Sequence, residues 1–217
     1  MKLFVDSGNI KDIETLAAIG IIDGVTTNPS LLAKEPGDYR QNLKRICEIV
    51  KGPVSGEVVS TDHAGMIREG HDIAALDPHM VVKVPLTRDG IRACKTLSTE
   101  GHKVNVTLVF SAAQALLAAK AGATFVSPFV GRLDDVGTNG MELIREILDI
   151  YDNYEFGTEV LVASCRHPIH IIEAARMGAD ICTCPPAVID QLFNHPLTNI
   201  GLEKFLKDWE KSQSVKA

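Results

Sequence analysis

One lysine stands inside an otherwise apolar stretch of this chain. Lys83 is the only charged residue in the run MVVKVP at positions 80–85, a segment typical of a strand buried in a parallel sheet. Lysine is among the residues least often buried, and low-dielectric surroundings disfavour its ammonium form. A buried lysine that gives up its proton can attack a carbonyl and form a Schiff base. The alternative is a lysine whose ammonium group reaches solvent at the end of the strand.

Other polar residues stand at the carboxyl ends of short apolar segments. Glu57 shares a strand face with Ser55, and Asn105 shares one with Thr107, whereas the neighbouring positions are apolar. Polar groups that converge on one rim carry a desolvation cost, which favours a functional role for the set. Comparable positions after the remaining segments are held by Asp6, Asn28, Ser127, Arg132, Ser164 and Arg166.

Three of these residues suit carbon–carbon chemistry on a carbonyl compound. Lys83 is the candidate nucleophile. Glu57 can act as the general acid/base that forms and hydrolyses the imine, and Asp6 can take a hydroxyl proton during bond cleavage.

The remaining polar residues suit a phosphorylated sugar. The amides of Asn28 and Asn105 match sugar hydroxyl groups, and the guanidinium groups of Arg132 and Arg166, with the hydroxyl of Ser164, match a phosphate. For each arginine taken alone, an ion pair at the surface is an equally good interpretation.

Eight short apolar segments alternate with helix-patterned stretches along the sequence. Helical periodicity covers residues 10–19 and 112–121, and Gly20, Gly122 and Gly178 stand where helix C-termini are expected. The pattern predicts one α/β domain over residues 1–217, a (β/α)8 TIM barrel with active-site residues at the carboxyl ends of its strands. The alternative is an open doubly wound sheet, which is weakened because no Gly-x-Gly-x-x-Gly or Walker-type loop follows a strand. The predicted strands lie near residues 2–6, 22–27, 54–59, 80–84, 103–108, 124–128, 159–164 and 180–184.

Charge and hydropathy exclude several classes of protein. A net charge of −6 gives no general attraction to nucleic acid. No apolar run approaches the roughly 18 residues of a membrane span, and Asp6 comes too early for a signal peptide. We therefore expect a cytoplasmic protein that binds neither nucleic acid nor membranes.

The five cysteines do not form a recognisable disulfide framework. Cys182 and Cys184 stand two residues apart in a predicted strand, and together with Cys165, His167 and His170 they could ligate a metal. No Cys-x-x-Cys pair or His-Glu-x-x-His helix accompanies them, which favours buried thiols in a reducing compartment and no metal site.

Several ordered motifs resemble the transaldolase family, and its short, single-domain microbial subfamily most closely. The resemblance runs from about residue 2 to the Lys-Asp-Trp segment at 207–209. The motifs are Val-Asp-Ser-Gly-Asn around Asp6, Gly-Val-Thr-Thr-Asn-Pro-Ser at 24–30, the segment around Lys83, Asn-Val-Thr at 105–107, Ser-Pro-Phe-Val-Gly-Arg at 127–132 and Ser-Cys-Arg-His-Pro at 164–168.

The resemblance implies a class I mechanism of the non-oxidative pentose phosphate pathway, with no metal or other cofactor. Lys83 would form an imine with the C2 ketone of fructose 6-phosphate or sedoheptulose 7-phosphate. Glu57 would move protons through a water held with Thr107, and Asp6 would deprotonate the C4 hydroxyl. The three-carbon dihydroxyacetone unit would then pass to erythrose 4-phosphate or glyceraldehyde 3-phosphate. The resemblance assigns hydroxyl binding to Asn28, Asn105 and Ser127, and phosphate binding to Arg132, Ser164 and Arg166.

The same superfamily includes fructose-6-phosphate aldolases, which release dihydroxyacetone. These resemble the chain but carry Gln in place of Glu57 and Tyr in place of Phe129, so both residues favour the transferase. A tyrosine hydroxyl could order the water that promotes release, and a phenylalanine cannot donate that hydrogen bond.

Two further functions are compatible with the residues alone. A phosphosugar isomerase or epimerase would use Glu57 or Asp6 as base and Lys83 only as a charge. A non-catalytic anion-binding barrel would give the lysine, glutamate and aspartate no joint role.

A helix is predicted near the C-terminus, at about residues 200–212. Leu202, Phe205, Leu206 and Trp209 recur there at helical spacing. They could pack on the barrel of the same chain. The resemblance instead implies subunit contacts in a homo-oligomer, a pentamer or decamer.

Overall fold

The computed structural model describes residues 1–214 and is built on a closed barrel of eight parallel strands. Neighbours around the barrel follow the sequence order, and β8 closes it by pairing with β1. The predicted α/β class and TIM barrel are confirmed, and the open doubly wound sheet is wrong. The strands are β1 (Lys2–Asp6), β2 (Gly24–Thr26), β3 (Val54–Glu57), β4 (Met80–Pro85), β5 (Val104–Val109), β6 (Phe125–Pro128), β7 (Glu159–Val162) and β8 (Ile181–Cys184).

Helices connect successive strands and cover the outside of the barrel. The first shows how the sequence sets its ends: the Asn9 side chain accepts a hydrogen bond from the backbone N–H of Asp12, and Gly20 terminates the helix with a left-handed φ of 79°. Gly122 and Gly178 end two other helices in the same way. The helices are α1 (Ile10–Ile19), α2 (Pro29–Leu32), α3 (Tyr39–Val50), α4 (His63–Ala74), α5 (Arg88–Thr99), α6 (Ala112–Ala121), α7 (Val130–Asp135), α8 (Gly140–Asn153), α9 (Pro168–Met177), α10 (Pro186–Gln191) and α11 (Pro196–Ser214).

Strand alternation divides the buried apolar residues into two clusters. Residues such as Val5 and Val82 point outward and pack with the helices. The inward cluster fills the barrel itself, and Gly24 makes room for it because a Cβ atom there would lie 2.6 Å from the Phe4 ring. The inward cluster consists of Phe4, Val81, Phe125, Leu161, Ala163 and Ile181.

The cysteines belong to the outer packing. All five are buried free thiols, and burial raises the pKa of Cys47 to about 12 and that of Cys94 to about 11. Cys182 and Cys184 lie in the outward cluster, and the Sγ atoms of Cys165 and Cys182 are 3.2 Å apart. These thiols therefore act as small apolar groups between barrel and helices.

The C-terminal helix α11 is longer than its predicted range and lies apart from the core. None of its residues is buried, and Phe205 and Trp209 are 72% and 65% exposed. The apolar positions found from their spacing thus remain uncovered by the chain's own barrel. None of the helices within residues 1–214 has the length and apolar character that a membrane span requires.

Candidate active site

Lys83 and Glu57 lie side by side at the carboxyl ends of β4 and β3. The two residues are partners in the strand register, and Lys83 Nζ is 3.0 Å from Glu57 Oε2. Lys83 Nζ also donates a 2.9 Å hydrogen bond to the backbone oxygen of Thr27, and the residue is 5% exposed. The lysine is buried as expected. Its surroundings are not purely apolar, because the Glu57 carboxylate lies within hydrogen-bonding distance of its amine.

Asp6 lies at the end of β1 and is held by a chain of hydroxyl groups. Thr26 Oγ1 donates to Asp6 Oδ1 at 2.7 Å, and the hydroxyl oxygens of Thr26 and Thr183 are also 2.7 Å apart. Burial raises the pKa of Asp6, opposed by the Thr26 hydrogen bond and the positive charge of Lys83. A carboxylate of raised pKa is a stronger base, which suits the removal of a hydroxyl proton.

Thr26 and Thr183 were not among the site residues predicted from the sequence. The alternation that selected the other strand-end residues applies to β8 as well, because Thr183 stands two positions after the inward Ile181. Threonine is also common in strands, so neither residue stands out by type.

Thr107 presents a buried hydroxyl near the lysine. Its Oγ1 has no hydrogen-bond partner among the described residues, and a buried polar atom left unpaired costs about 1–3 kcal/mol. The next residue, Leu108, has a φ of 61°, and the register between β5 and β6 shifts between Val106 and Val109. This strained turn of the strand at the rim of the barrel leaves the Thr107 hydroxyl available to a substrate or a water.

A hydrogen-bonded row of three side chains runs across β6, β5 and β3. Ser127 Oγ donates to Asn105 Oδ1 at 2.8 Å, and Asn105 Nδ2 donates to Ser55 Oγ at 3.2 Å. Asn105 is completely buried. It was predicted to bind a sugar hydroxyl, but it lies outside the lining of the pockets described below. Asn28 caps α2, where its Oδ1 accepts from the backbone N–H of Leu31 at 2.9 Å, which fixes its side chain at the rim.

Arg132 lies in the short helix α7, which begins two residues after β6 ends. Its guanidinium carbon stands 5.2 Å from the centre of the Phe129 ring, a cation–π contact. The backbone N–H of Gly131 donates to the carbonyl oxygen of Ser164 at 3.1 Å. A Cβ atom on Gly131 would approach that oxygen to 2.3 Å, so only glycine allows α7 to lie this close to the end of β7. Ser164 has a φ of 60°, a second strained backbone position at the rim.

Arg166 is engaged by a carboxylate on α7. Its two terminal nitrogens pair with both oxygens of Asp135, one at 2.6 Å, and its Nε packs against Gly131. The predicted phosphate ligand is thus a partly exposed ion pair in this structure.

Two adjoining pockets connect these groups. They measure about 140 and 380 Å³ and share Asn28, Lys83, Phe129 and Arg132, which together reach the range of roughly 300–1,000 Å³ typical of small-molecule sites. Arg166 is outside the lining of both. The first pocket also has Asp6, Thr26, Ser127, Ala163, Ser164 and Thr183, and the second Pro29, Ser30, Leu31, Glu57, Thr107 and Leu108.

Two groups of side chains elsewhere approach the spacing of metal ligands. The donor atoms of His71, Glu100 and His102 lie within 4.8 Å of one another, as do those of a second group near the end of the barrel strand β7. That second group contains no cysteine, so it differs from the one considered from the sequence; it is formed by Asp134, His167 and His170.

Comparisons with known proteins agree with this geometry. The family model described as Transaldolase/Fructose-6-phosphate aldolase matches residues 3–216. A "Probable transaldolase" of Kosmotoga olearia is 56% identical over 211 residues, which is 97% of each chain. One of Rhizorhabdus wittichii is 58% identical over 99% of this chain and 100% of its own. One of Methanococcus maripaludis is 58% identical over 97% of this chain and 98% of its own. This chain therefore belongs to the transaldolase/fructose-6-phosphate aldolase family.

Proposed function

We propose that this protein is a transaldolase that moves a dihydroxyacetone unit between sugar phosphates through a Schiff base on Lys83. The donor would be fructose 6-phosphate or sedoheptulose 7-phosphate, and the acceptor erythrose 4-phosphate or glyceraldehyde 3-phosphate. The observation that carries the proposal is the buried Lys83 amine, 3.0 Å from the Glu57 carboxylate and in the same pocket as Asp6. The names of the relatives support it.

Glu57 would handle the protons of imine formation. It accepts a proton from the Lys83 ammonium, and the neutral amine attacks the C2 carbonyl of the ketose. The resulting carbinolamine loses its hydroxyl as water when Glu57 returns a proton, which leaves an iminium ion. The Thr107 hydroxyl, which has no partner in the described part of the chain, lies on the neighbouring strand, where it would hold the water that is exchanged.

Asp6 would handle the proton of carbon–carbon cleavage. It removes the proton from the C4 hydroxyl, the C3–C4 bond breaks, and its electron pair is taken up by the iminium to give an enamine. The aldose phosphate leaves. When the acceptor aldose phosphate binds, the enamine carbon attacks its aldehyde and Asp6 returns the proton to the new hydroxyl. Hydrolysis of the imine then frees Lys83.

The rest of the rim would bind the sugar. We assign the hydroxyl groups to Asn28 and Ser127, with Asn105 holding Ser127 from beneath. Phosphate binding falls to Arg132, Ser164 and Arg166, and Arg166 would share its guanidinium between the phosphate and Asp135.

A fructose-6-phosphate aldolase is the second candidate, because the family includes both activities. Phe129 packs edge-to-face on Phe110, with ring centres 5.8 Å apart, and offers no hydroxyl to the pocket. Turnover of fructose 6-phosphate, measured with and without erythrose 4-phosphate, separates the two. We expect cleavage to depend on the acceptor, and equal rates in both assays would overturn the transaldolase assignment.

We also propose that α11 joins copies of this chain into a homo-oligomer, a pentamer or decamer. The support is its row of uncovered apolar side chains, since contiguous patches of this kind are rare on monomers. Light scattering should show a smaller assembly for Phe205→Ala/Trp209→Ala but not for the control Leu117→Ala, an exposed leucine on α6. An unchanged mass for the double variant would contradict the proposal. We place the enzyme in the cytoplasm, where its buried thiols would stay reduced.

A further inference from the structure

We propose that His170 and Asp134, which lie outside the reaction centre, are positioning residues that set the phosphate affinity of the site. They would do so by holding the backbone of Arg166, and thus the segment 164–166, in the geometry that receives the substrate phosphate. This inference rests on the proposed function, because it assigns roles around the same phosphate position.

His170 connects two elements of the site through its two ring nitrogens. The backbone N–H of Arg166 lies 3.2 Å from His170 Nδ1, and His170 Nε2 lies 2.8 Å from Asp134 Oδ2. A backbone N–H can only donate, so Nδ1 must accept and Nε2 must carry the hydrogen that Asp134 receives. One tautomer of one side chain therefore links α7 to the segment after β7.

Asp134 is itself fixed by the start of α8. Its Oδ1 accepts from the backbone N–H of Gly140 at 2.9 Å, and a Cβ atom on Gly140 would lie 2.4 Å from the carbonyl oxygen of Val130. One oxygen of the Asp134 carboxylate is thus held by the start of α8 while the other accepts from His170. Since α7 also carries Arg132 and Asp135, one short helix bears on both arginines of the proposed phosphate site.

The histidine is buried in the way this role requires. His170 is 4% exposed, and its ring centre lies 3.8 Å from that of His167. Burial lowers the pKa of His170, the His167 charge lowers it further, and Asp134 and Glu173 oppose the change. The two hydrogen bonds require the neutral ring, in which Nδ1 accepts, because a protonated ring would place two N–H donors face to face.

A pair of substitutions separates positioning from packing. In His170→Asn the side-chain oxygen can occupy the place of Nδ1 and accept from Arg166. In His170→Gln the polar end reaches the place of Nε2 instead and leaves the Arg166 N–H without its acceptor. Both variants remove the ring and should lower the midpoint of thermal unfolding to a similar extent, so each controls for the other.

Two measurements report on the phosphate. The first is the ratio of kcat/KM for erythrose 4-phosphate to kcat/KM for unphosphorylated erythrose. The second is the affinity for inorganic phosphate by calorimetry, which does not depend on catalysis. We expect His170→Gln to lower both quantities about tenfold, the scale of one hydrogen bond, and His170→Asn to keep them within about threefold of the wild type. The kcat/KM for erythrose should stay unchanged in both variants, because this acceptor carries no phosphate.

The outcomes are distinct. Equal ratios and affinities in His170→Gln and the wild type would overturn the inference. So would a result in which His170→Gln and His170→Asn lower kcat/KM for erythrose 4-phosphate and for erythrose by the same factor. Should His170→Gln fail to fold, Asp134→Ala is expected to lower phosphate affinity in the same direction, and no change there would also overturn it. Failure of the proposed function shows separately, as a wild-type protein that transfers nothing to either acceptor.

Discussion

The inward residues of the barrel form two layers that differ in chemistry although the same strands supply both. On four strands an apolar residue in the lower layer is followed, two positions later, by a polar residue in the upper layer. Successive inward positions of a strand are two residues apart, so each strand contributes to both layers without a change in backbone. The pairs are Phe4 and Asp6, Val81 and Lys83, Phe125 and Ser127, and Ile181 and Thr183.

The two layers make opposite contributions to stability. The lower layer buries large side chains completely, with Phe4 and Phe125 packed edge-to-face at 6.2 Å between ring centres. The upper layer holds a buried ion pair and the Thr107 hydroxyl, which has no hydrogen-bond partner within residues 1–214. Such features add little to stability or lower it, and are kept where a function needs them. The lower layer therefore stabilises the fold, and the upper layer carries the chemistry.

The largest expected effect comes from replacing the ion pair of the upper layer. Lys83→Met combined with Glu57→Gln should reduce activity by roughly 10⁴-fold or more, the scale at which loss of a nucleophile acts. The free energy of unfolding should change little, because removing both charges leaves no uncompensated buried charge and costs only the hydrogen bond to the Thr27 carbonyl oxygen. Urea unfolding and a coupled assay measure the two quantities. A large loss of stability would mean that the upper layer also holds the fold together.

Truncation of the lower layer should do the reverse. Phe125→Ala is expected to lower the free energy of unfolding by about 3–5 kcal/mol, the cost of deleting a buried aromatic ring. The folded fraction at low temperature should still form the Lys83 imine. Leu117→Ala, at an exposed position on α6, is the control and should change stability by less than about 0.5 kcal/mol. Equal effects of the two substitutions would remove the distinction between the layers.

The smallest expected effect is a shift in pH dependence. Asp6 must be ionised to act as base, so activity should fall as the pH drops through its raised pKa, above the ordinary 3.8 of an aspartate. Thr26→Val removes the hydrogen bond that lowers this pKa. The acid limb of kcat against pH should therefore move to higher pH, because loss of the Thr26 hydrogen bond raises the pKa of Asp6 further. Thr15→Val, at an exposed position on α1, should leave the limb in place, and a limb unmoved by Thr26→Val would contradict the role given to Asp6.

Most of the upper layer could be predicted from the sequence because it follows from alternation along single strands. Lys83 is conspicuous because it is the one charge in an apolar strand. Alternation of side chains along β3 likewise places Glu57 on the same face as Ser55. The strand bounds were less predictable at β2, which spans Gly24–Thr26 rather than 22–27. The ends of a strand depend on its hydrogen bonds to neighbouring strands, and the local sequence pattern does not determine those bonds.

Contacts between distant elements could not be predicted in the same way. Asp135 pairs with Arg166 and Asp134 with His170, partners that are separated by 31 and 36 positions. Neither pair has a periodicity or motif that joins its members. The placement of Arg132 in a helix depends on the close approach of Gly131 to Ser164, which only the packing of α7 against β7 reveals.

Reductive trapping tests the central claim most directly. The protein is mixed with fructose 6-phosphate, treated with sodium borohydride and digested, and the peptides are analysed by mass spectrometry. We predict a permanent sugar adduct on Lys83 of the wild type and none in Lys83→Met. A phosphosugar isomerase or a non-catalytic barrel would leave no adduct, and its absence, or its attachment to another lysine, would contradict the account.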